Sequence, residues 1–179
     1  IIWLLFYKYR LRTPLNRITE ALKEQYQLKL TEGAIQHILH HLKKRFGTKY
    51  QQIVKTIKKA PVKHGDETSW RVEGINNWCW LFASQKAALY TIEETRGKAV
   101  PITVLGKDPS GILVRDDYAA YQHLPMEQQS CWAHLLRFSR EKSKQEKTSK
   151  EARVLHTELK TIFQELKDST EQSFKQRQR

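Results

Sequence analysis

Cysteine is scarce in this chain: Cys79 and Cys131 are the whole complement of 179 residues. Two thiols build no disulfide framework, and a reduced, cytoplasmic setting is the default. Long apolar runs are missing as well. The opening run, Ile1-Ile2-Trp3-Leu4-Leu5-Phe6-Tyr7, falls far short of the ~20 residues of a membrane-spanning helix. No basic segment precedes it, as one would in a signal peptide, so a membrane is not an expected partner. Position 1 is not methionine, and the run reads as the tail of a longer helix; the chain is expected to be a fragment. Acidic residues are in deficit, 19 against 32 Lys and Arg, which leaves a net charge of +13. That excess favours a nucleic acid or another anionic surface as partner. A basic protein without such a partner is the alternative, and the uneven spread of the charge weighs against it.

What is present suffices to fold. Hydrophobic residues make up 39% and aromatics 10%, enough for a core, and the length suits one sizeable domain plus a small one. Residues 1–63 hold 14 Lys and Arg against 3 Asp and Glu. Residues 64–140 hold 8 against 9, and residues 141–179 hold 10 against 7. A basic N-terminal module thus precedes a near-neutral segment that concentrates the acids. The division suits a DNA-binding region joined to a metal-dependent catalytic one.

Within 1–63 the pattern is helical. Thr13-Pro14 reads as an N-cap followed by proline at the first helical position. Leu15, Ile18, Leu22 and Tyr26 recur at helical spacing after it. Thr31 can cap a second short helix with Ile35, Ile38, Leu39 and Leu42 on one face. The pair resembles a helix-turn-helix, with a plain helical hairpin as the equal alternative. Lys43, Lys44 and Arg45 would close the second helix, where they suit its dipole and can reach phosphate. Lys55, Lys58 and Lys59 follow in a basic helix or linker that runs to Pro61. His37, His40 and His41 read as surface histidines rather than a metal site.

From residue 66 the period changes to two. Residues 66–73, 77–84 and 88–94 read as an antiparallel meander, turning at Gly74–Asn77 and Ser84–Lys86. Residues 97–106 read as a helix, Gly111–Val114 as a buried strand and 117–123 as a helical turn. Ser130–Trp132 reads as a further short strand, and 133–145 and 150–175 as helices. The fold class is mixed α/β. A helix crossover returns the fourth strand parallel to the first and beside it. Asp66 on the first strand and Asp116 or Asp117 at the end of the fourth can then meet. Two such carboxylates repel, whereas a divalent cation makes the pair useful. Mg²⁺ takes one or two carboxylates plus water and phosphate oxygens, and two ions about 4 Å apart can assist both ends of an in-line displacement. Spacing alone leaves solvated turn acids as the alternative.

Longer motifs sharpen this reading: His64-x-Asp66-Glu67-Thr68, Trp78-x-Trp80, Arg96-Gly97, Gly111-Ile112-Leu113-Val114-x-Asp116-x-Tyr118-x-x-Tyr121 and Cys131-x-Ala133-His134-Leu135-x-Arg137. Together they resemble bacterial transposases of the insertion sequence 66 family, closely over 64–140 and loosely over 11–63. The resemblance implies a ribonuclease-H-like core with an Asp-Asp-Glu triad, preceded by a helical DNA-binding region. It matches Asp66 to the first acid and Asp116 to the second, with Asp117 where the family has a small residue. It also implies Mg²⁺ or Mn²⁺, two ions in the complete enzyme, DNA ends and target DNA as partners, and a homo-oligomeric active complex. The setting would be the bacterial cytoplasm, in association with the nucleoid.

The resulting division is 1–63 as helical DNA-binding region and linker, 64–140 as catalytic core, and 141–179 as a helical insertion in which the chain stops. Glu151, Glu158, Glu165 and Glu171 lack the surroundings expected of the third acid, so the core is expected to be incomplete at its C-terminus. An inactive DNA-binding remnant and a ribonuclease-H-like nuclease are the other readings. Arg137 is assigned to DNA or to a core acid, and Cys131-x-x-His134, half of a zinc spacing, to a structural role. His64 could contact phosphate or metal, or serve as a strand-end hydrogen-bonding group. Glu67 is expected on the face of its strand opposite Asp66.

Overall fold

Residues 1–144 and 150–177 are described by a computed structural model, with side chains through residue 170. The chain divides into two compact units, Ile1–Gln52 and Ile53–Arg179. In the first, helix α1 (Ile2–Leu5) continues into a π-helical turn, Phe6–Arg10. Helix α2 spans Leu15–Tyr26 and helix α3 spans Glu32–Lys59. Leu4, Ile18, Leu22 and Ile35 form the buried core of this unit, with Tyr7, Leu15, Ile38 and Leu39 packed around them. Thr31 caps α3 as expected: its Oγ1 accepts the Ala34 N–H at 3.1 Å.

Two helical expectations are corrected. Pro14 is itself the N-cap of α2, with ψ 152°, and Thr13 lies outside the helix. Helix α3 has 28 residues and runs on to Lys59, so Lys43, Lys44 and Arg45 lie mid-helix rather than at an end. The sequence Lys43-Lys44-Arg45-Phe46-Gly47 imitates a helix terminus, but a single glycine in a helix interior costs only about 1 kcal/mol. His37, His40 and His41 are exposed on α3.

The second unit holds a five-stranded mixed sheet of order β3-β2-β1-β4-β5. Its strands are β1 (Val62–Val72), β2 (Ile75–Ala83), β3 (Ala88–Glu93), β4 (Ile112–Arg115) and β5 (Glu127–Ser130). The meander β1-β2-β3 is antiparallel, and β4 pairs with β1 in parallel, both as expected. Strand β5 adds parallel to β4; it covers 127–130 rather than 130–132 because Trp132 already begins a helix. The first hairpin turns on Glu73-Gly74 rather than Gly74–Asn77. Both residues have positive φ, 50° and 82°, as a two-residue turn matched to strand twist requires.

Helix α4 (Ala99–Leu105) makes the crossover from β3 to β4, with Pro101 in its first turn. Helices α5 (Trp132–Ser143) and α6 (Lys150–Arg177) follow β5 and pack on each other through Trp132 against Phe163 and Ser139 Oγ 2.9 Å from His156 Nδ1. Residue 145, expected to end the first of these helices, lies outside the described residues, as does the side chain of Glu171. The core of the unit joins Ile57 of α3 to Trp80, Phe82, Leu89, Leu113 and Tyr121. No helix among the described residues is long and apolar enough to cross a membrane.

Strand β1 begins at Val62, four residues earlier than its periodicity predicts. Asp66 is therefore mid-strand. The early start is fixed by β4: Val62, Lys63 and His64 pair with Ile112, Leu113 and Val114. Periodicity missed it because the inward positions are Lys63, Gly65 and Glu67, none of them apolar. Lys63 is fully buried and donates to the carbonyls of Ala60 (2.6 Å) and Ser110 (2.5 Å). Burial lowers its pKa from the ordinary lysine value.

Gly111 lets β4 start there. Its φ is +83°, and a Cβ on it would stand 2.5 Å from the Pro61 carbonyl oxygen. Gly111→Ala is expected to destabilise the second unit by about 3 kcal/mol, from the φ penalty plus the forced shift of Pro61. Denaturant unfolding followed by tryptophan fluorescence checks this, and an unchanged midpoint would refute it.

Candidate metal centre

Asp66, Asp116 and His134 converge from three elements. Each offers a ligand atom, and these atoms lie within 4.8 Å of one another. Asp66 comes from the middle of β1, Asp116 directly follows β4, and His134 sits in the first turn of α5. The parallel pairing of β1 with β4 sets the first two side by side. The third is placed by backbone: Cys131, the N-cap of α5, donates its N–H to the Arg115 carbonyl at 2.7 Å, tying the start of α5 to the end of β4.

Local hydrogen bonds hold the carboxylates. Asp66 Oδ1 accepts the Glu67 N–H at 2.9 Å, and Asp116 Oδ1 accepts the Tyr118 N–H at 3.0 Å. Asp117 takes another direction. It meets Arg115 Nη1 at 3.2 Å, with its side chain 89% exposed, and stands outside the cluster. Arg115 also donates to Gln128 Oε1 at 2.9 Å and to the Asp116 carbonyl at 2.6 Å, which fixes the backbone that carries Asp116.

The donor set suits a divalent cation: two carboxylates and an imidazole, on a chain rich in cations elsewhere. His134 Nδ1 supports the fit, because it is buried and has no hydrogen-bond partner among the described residues. In the sequence His134 stands in the family motif Cys131-x-Ala133-His134 and in a Cys-x-x-His spacing, with no sign of the two acids beside it. Cys131 stays outside the cluster, and His134 stands beside the two acids rather than in a Cys-His pair. A cavity of about 300 Å³ adjoins the site, lined by Asp116, Asp117, Cys131, His134 and Arg137 among others. Arg137 is exposed, one turn beyond His134 on α5.

The remaining basic candidates lie apart from the acids in the chain. Lys43, Lys44 and Arg45 belong to the first unit and are exposed. Lys55, Lys58 and Lys59 belong to the second, on the last turns of α3. Lys59 lines a larger cavity of about 830 Å³ with Pro61, His64, Ser84 and Lys86; it contains none of the clustered acids.

Beneath the site, on the opposite face of β1, lies a buried polar network that motif reading had not assembled. Glu67, its side chain wholly buried, meets Arg96 through Nε at 3.0 Å and Nη2 at 2.8 Å, and accepts the Tyr121 hydroxyl at 2.6 Å. The Arg96 guanidinium lies 3.8 Å from the Tyr118 ring centroid and 4.7 Å from that of Trp78. Tyr118 returns the contact by donating its hydroxyl to the Arg96 carbonyl at 3.0 Å. Burial, then the hydrogen bond to Glu67, pushes the Tyr121 phenol above its ordinary pKa, with smaller contributions from the charges of Asp116 and Asp66.

Removing Arg96 would leave the Glu67 carboxylate buried with only Tyr121 as its side-chain partner. Arg96→Ala is expected to cost about 3 kcal/mol, the low end for stripping one partner from a buried pair. The low end applies because Arg96 itself is 37% exposed. Thermal or denaturant unfolding measures it; a loss below about 1 kcal/mol would mean the pair is dispensable.

No curated protein matches the chain. The family model described as Transposase IS66 family matches it over residues 1–179, the full sequence, and the chain belongs to that family.

Proposed function

We propose that this chain carries the core of a transposase with a ribonuclease-H-like fold, which cuts DNA at the ends of an insertion sequence and joins them to target DNA. The observation that carries the reading is the meeting of Asp66, on β1, with Asp116, which directly follows the parallel neighbour β4. The strand order β3-β2-β1-β4-β5, with a leading antiparallel meander, supports the fold assignment. Family membership supports a transposase role and DNA as partner.

In this reading Asp66 and Asp116 hold Mg²⁺ or Mn²⁺, two ions in the complete enzyme. Bound there, the metal would lower the cost of forming the attacking oxygen and stabilise the leaving one. The protein's own part is positioning. The Glu67 and Tyr118 N–H groups orient the two carboxylates, and Arg115 fixes the loop between β4 and Asp117. Arg137, on the rim of the adjoining cavity, would meet a DNA phosphate beside the cluster. Lys43, Lys44, Arg45, Lys55, Lys58 and Lys59 would hold the duplex through phosphate contacts, with 1–63 as the DNA-binding region and linker, 64–140 as the core and 141–179 as a helical insertion. The active complex would be a homo-oligomer acting on DNA in the bacterial cytoplasm.

A second reading, a DNA-binding remnant without catalysis, is favoured by one observation: among the described residues no glutamate joins the cluster. Binding of DNA without metal-dependent nicking by residues 1–179 would support it, and nicking would exclude it.

Two outcomes test the main reading. In strand transfer by the complete transposase, Asp66→Asn and Asp116→Asn are each expected to lower the rate about a thousandfold or more, the several kcal/mol a metal site supplies. Retained activity in both would overturn it. For binding, log K against log salt is expected to fall with a slope of about −5 if Lys43, Lys44, Arg45, Lys55, Lys58 and Lys59 each contact a phosphate. Replacing Lys43, Lys44 and Arg45 by alanine should flatten that slope by about 3, as measured by fluorescence anisotropy.

A further inference from the structure

We propose that His134 is a ligand of the metal, so that the site is a mixed carboxylate–imidazole centre that favours Mn²⁺ over Mg²⁺. The inference rests on the metal-dependent reading of Asp66 and Asp116 and adds a third side chain and an ion preference to it.

The geometry places a ligand atom of His134 within 4.8 Å of those of both acids. Donors held by one ion at about 2.1 Å stand no more than about 4.2 Å apart, so a small side-chain movement would close the three groups on a single ion. Position on α5 makes the placement a property of the fold. The Cys131 N–H on the Arg115 carbonyl starts the helix beside Asp116, and the Leu135 N–H on the Cys131 carbonyl (3.0 Å) closes its first turn around His134. The side chain also carries an unmet need. Its Nδ1 is buried with no hydrogen-bond partner among the described residues, and an unpaired buried polar atom costs about 1–3 kcal/mol. Residues that could have used the histidine otherwise do not: Asp117 is turned to Arg115, and Cys131 is outside the cluster.

Chemistry then sets the ion preference. Mg²⁺ is served by oxygen ligands and retained water. An imidazole nitrogen shifts a site toward transition metals, and Mn²⁺ accepts both oxygen and nitrogen donors. A centre of two carboxylates and one imidazole therefore binds Mn²⁺ more tightly than the carboxylate pair alone would, with little gain for Mg²⁺.

The test uses the whole 179-residue chain and Mn²⁺ itself. Free Mn²⁺ is followed by electron paramagnetic resonance in a titration, with Mg²⁺ as competitor, for wild type, His134→Ala, Asp66→Asn and Asp116→Asn. Loss of Mn²⁺ affinity in His134→Ala by tenfold or more is expected, with Mg²⁺ affinity changed by less than about threefold. Spin-echo spectra of bound Mn²⁺ should carry nitrogen modulation in wild type, and this should vanish in His134→Ala. The wild-type spectrum tests the ligand without relying on the fold of any variant. Bound Mn²⁺ without nitrogen modulation, or a His134→Ala chain with unchanged Mn²⁺ and Mg²⁺ affinities, overturns the proposal. If Asp66→Asn and Asp116→Asn nevertheless lose Mn²⁺, the two-carboxylate reading stands and only the histidine is refuted. Wild type that binds neither ion, or acid variants that bind as wild type does, sinks both.

Discussion

Parallel pairing of the first three residues of β1 with β4 is the constraint on which the rest depends. It is short, Val62–His64 against Ile112–Val114, yet it joins segments separated by a hairpin, a third strand and a helix. Non-local pairing of this kind is entropically expensive, and the sequence supports it with backbone fit rather than apolar area. Gly111 permits the close approach to Pro61, the Ile112 N–H bonds the Pro61 carbonyl at 2.9 Å, and Lys63 ties Ala60 to Ser110. Once the pairing is made, β4 ends beside the middle of β1, and Asp116 arrives near Asp66.

The two faces of β1 divide the labour. One presents His64 and Asp66; the other presents Lys63, Gly65 and Glu67 to the core. Gly65 leaves room for Tyr121, whose ring carbon would lie 3.0 Å from a Cβ there. Tyr121 then reaches Glu67, and Arg96 completes the pair. The cost of burying these charges is offset by dense pairing, and the pairing joins α4's approach, β1 and the turn after β4 into one network. Tyr118 belongs to both sides: its N–H serves Asp116, its ring stacks on Arg96 and its hydroxyl holds the Arg96 carbonyl.

Much of this was legible in the sequence. The meander, the α4 crossover and the parallel return of β4 followed from period-two runs, turn residues and the handedness rule. Alternation along a strand placed Glu67 opposite Asp66 without any structure. The start of β1 was hidden because its buried positions are filled by lysine, glycine and glutamate, and hydrophobic periodicity carries no signal for a strand whose inward side chains are polar. The length of α3 was hidden by Lys43-Lys44-Arg45 and Gly47, which resemble a helix end but are tolerated in an exposed interior. His134 was visible in a family motif and in a spacing with Cys131, but not as a neighbour of the acids. What links it to the acids is the backbone bond from Cys131 to Arg115, a contact between β4 and α5 that no local pattern encodes.

Asp66 and Glu67 are adjacent and chemically almost alike, yet one stands beside Asp116 and His134 and the other beneath the sheet. Parity alone separates them. A single-residue insertion upstream in β1 would put the shorter acid opposite Arg96 and carry the longer one past the cluster, whereas a deletion would bring the longer one to His134 and leave Arg96 facing Thr68. The strand should therefore tolerate changes of letter far better than changes of count, and the Glu67–Arg96 pair acts as the key that admits only one reading frame of the fold.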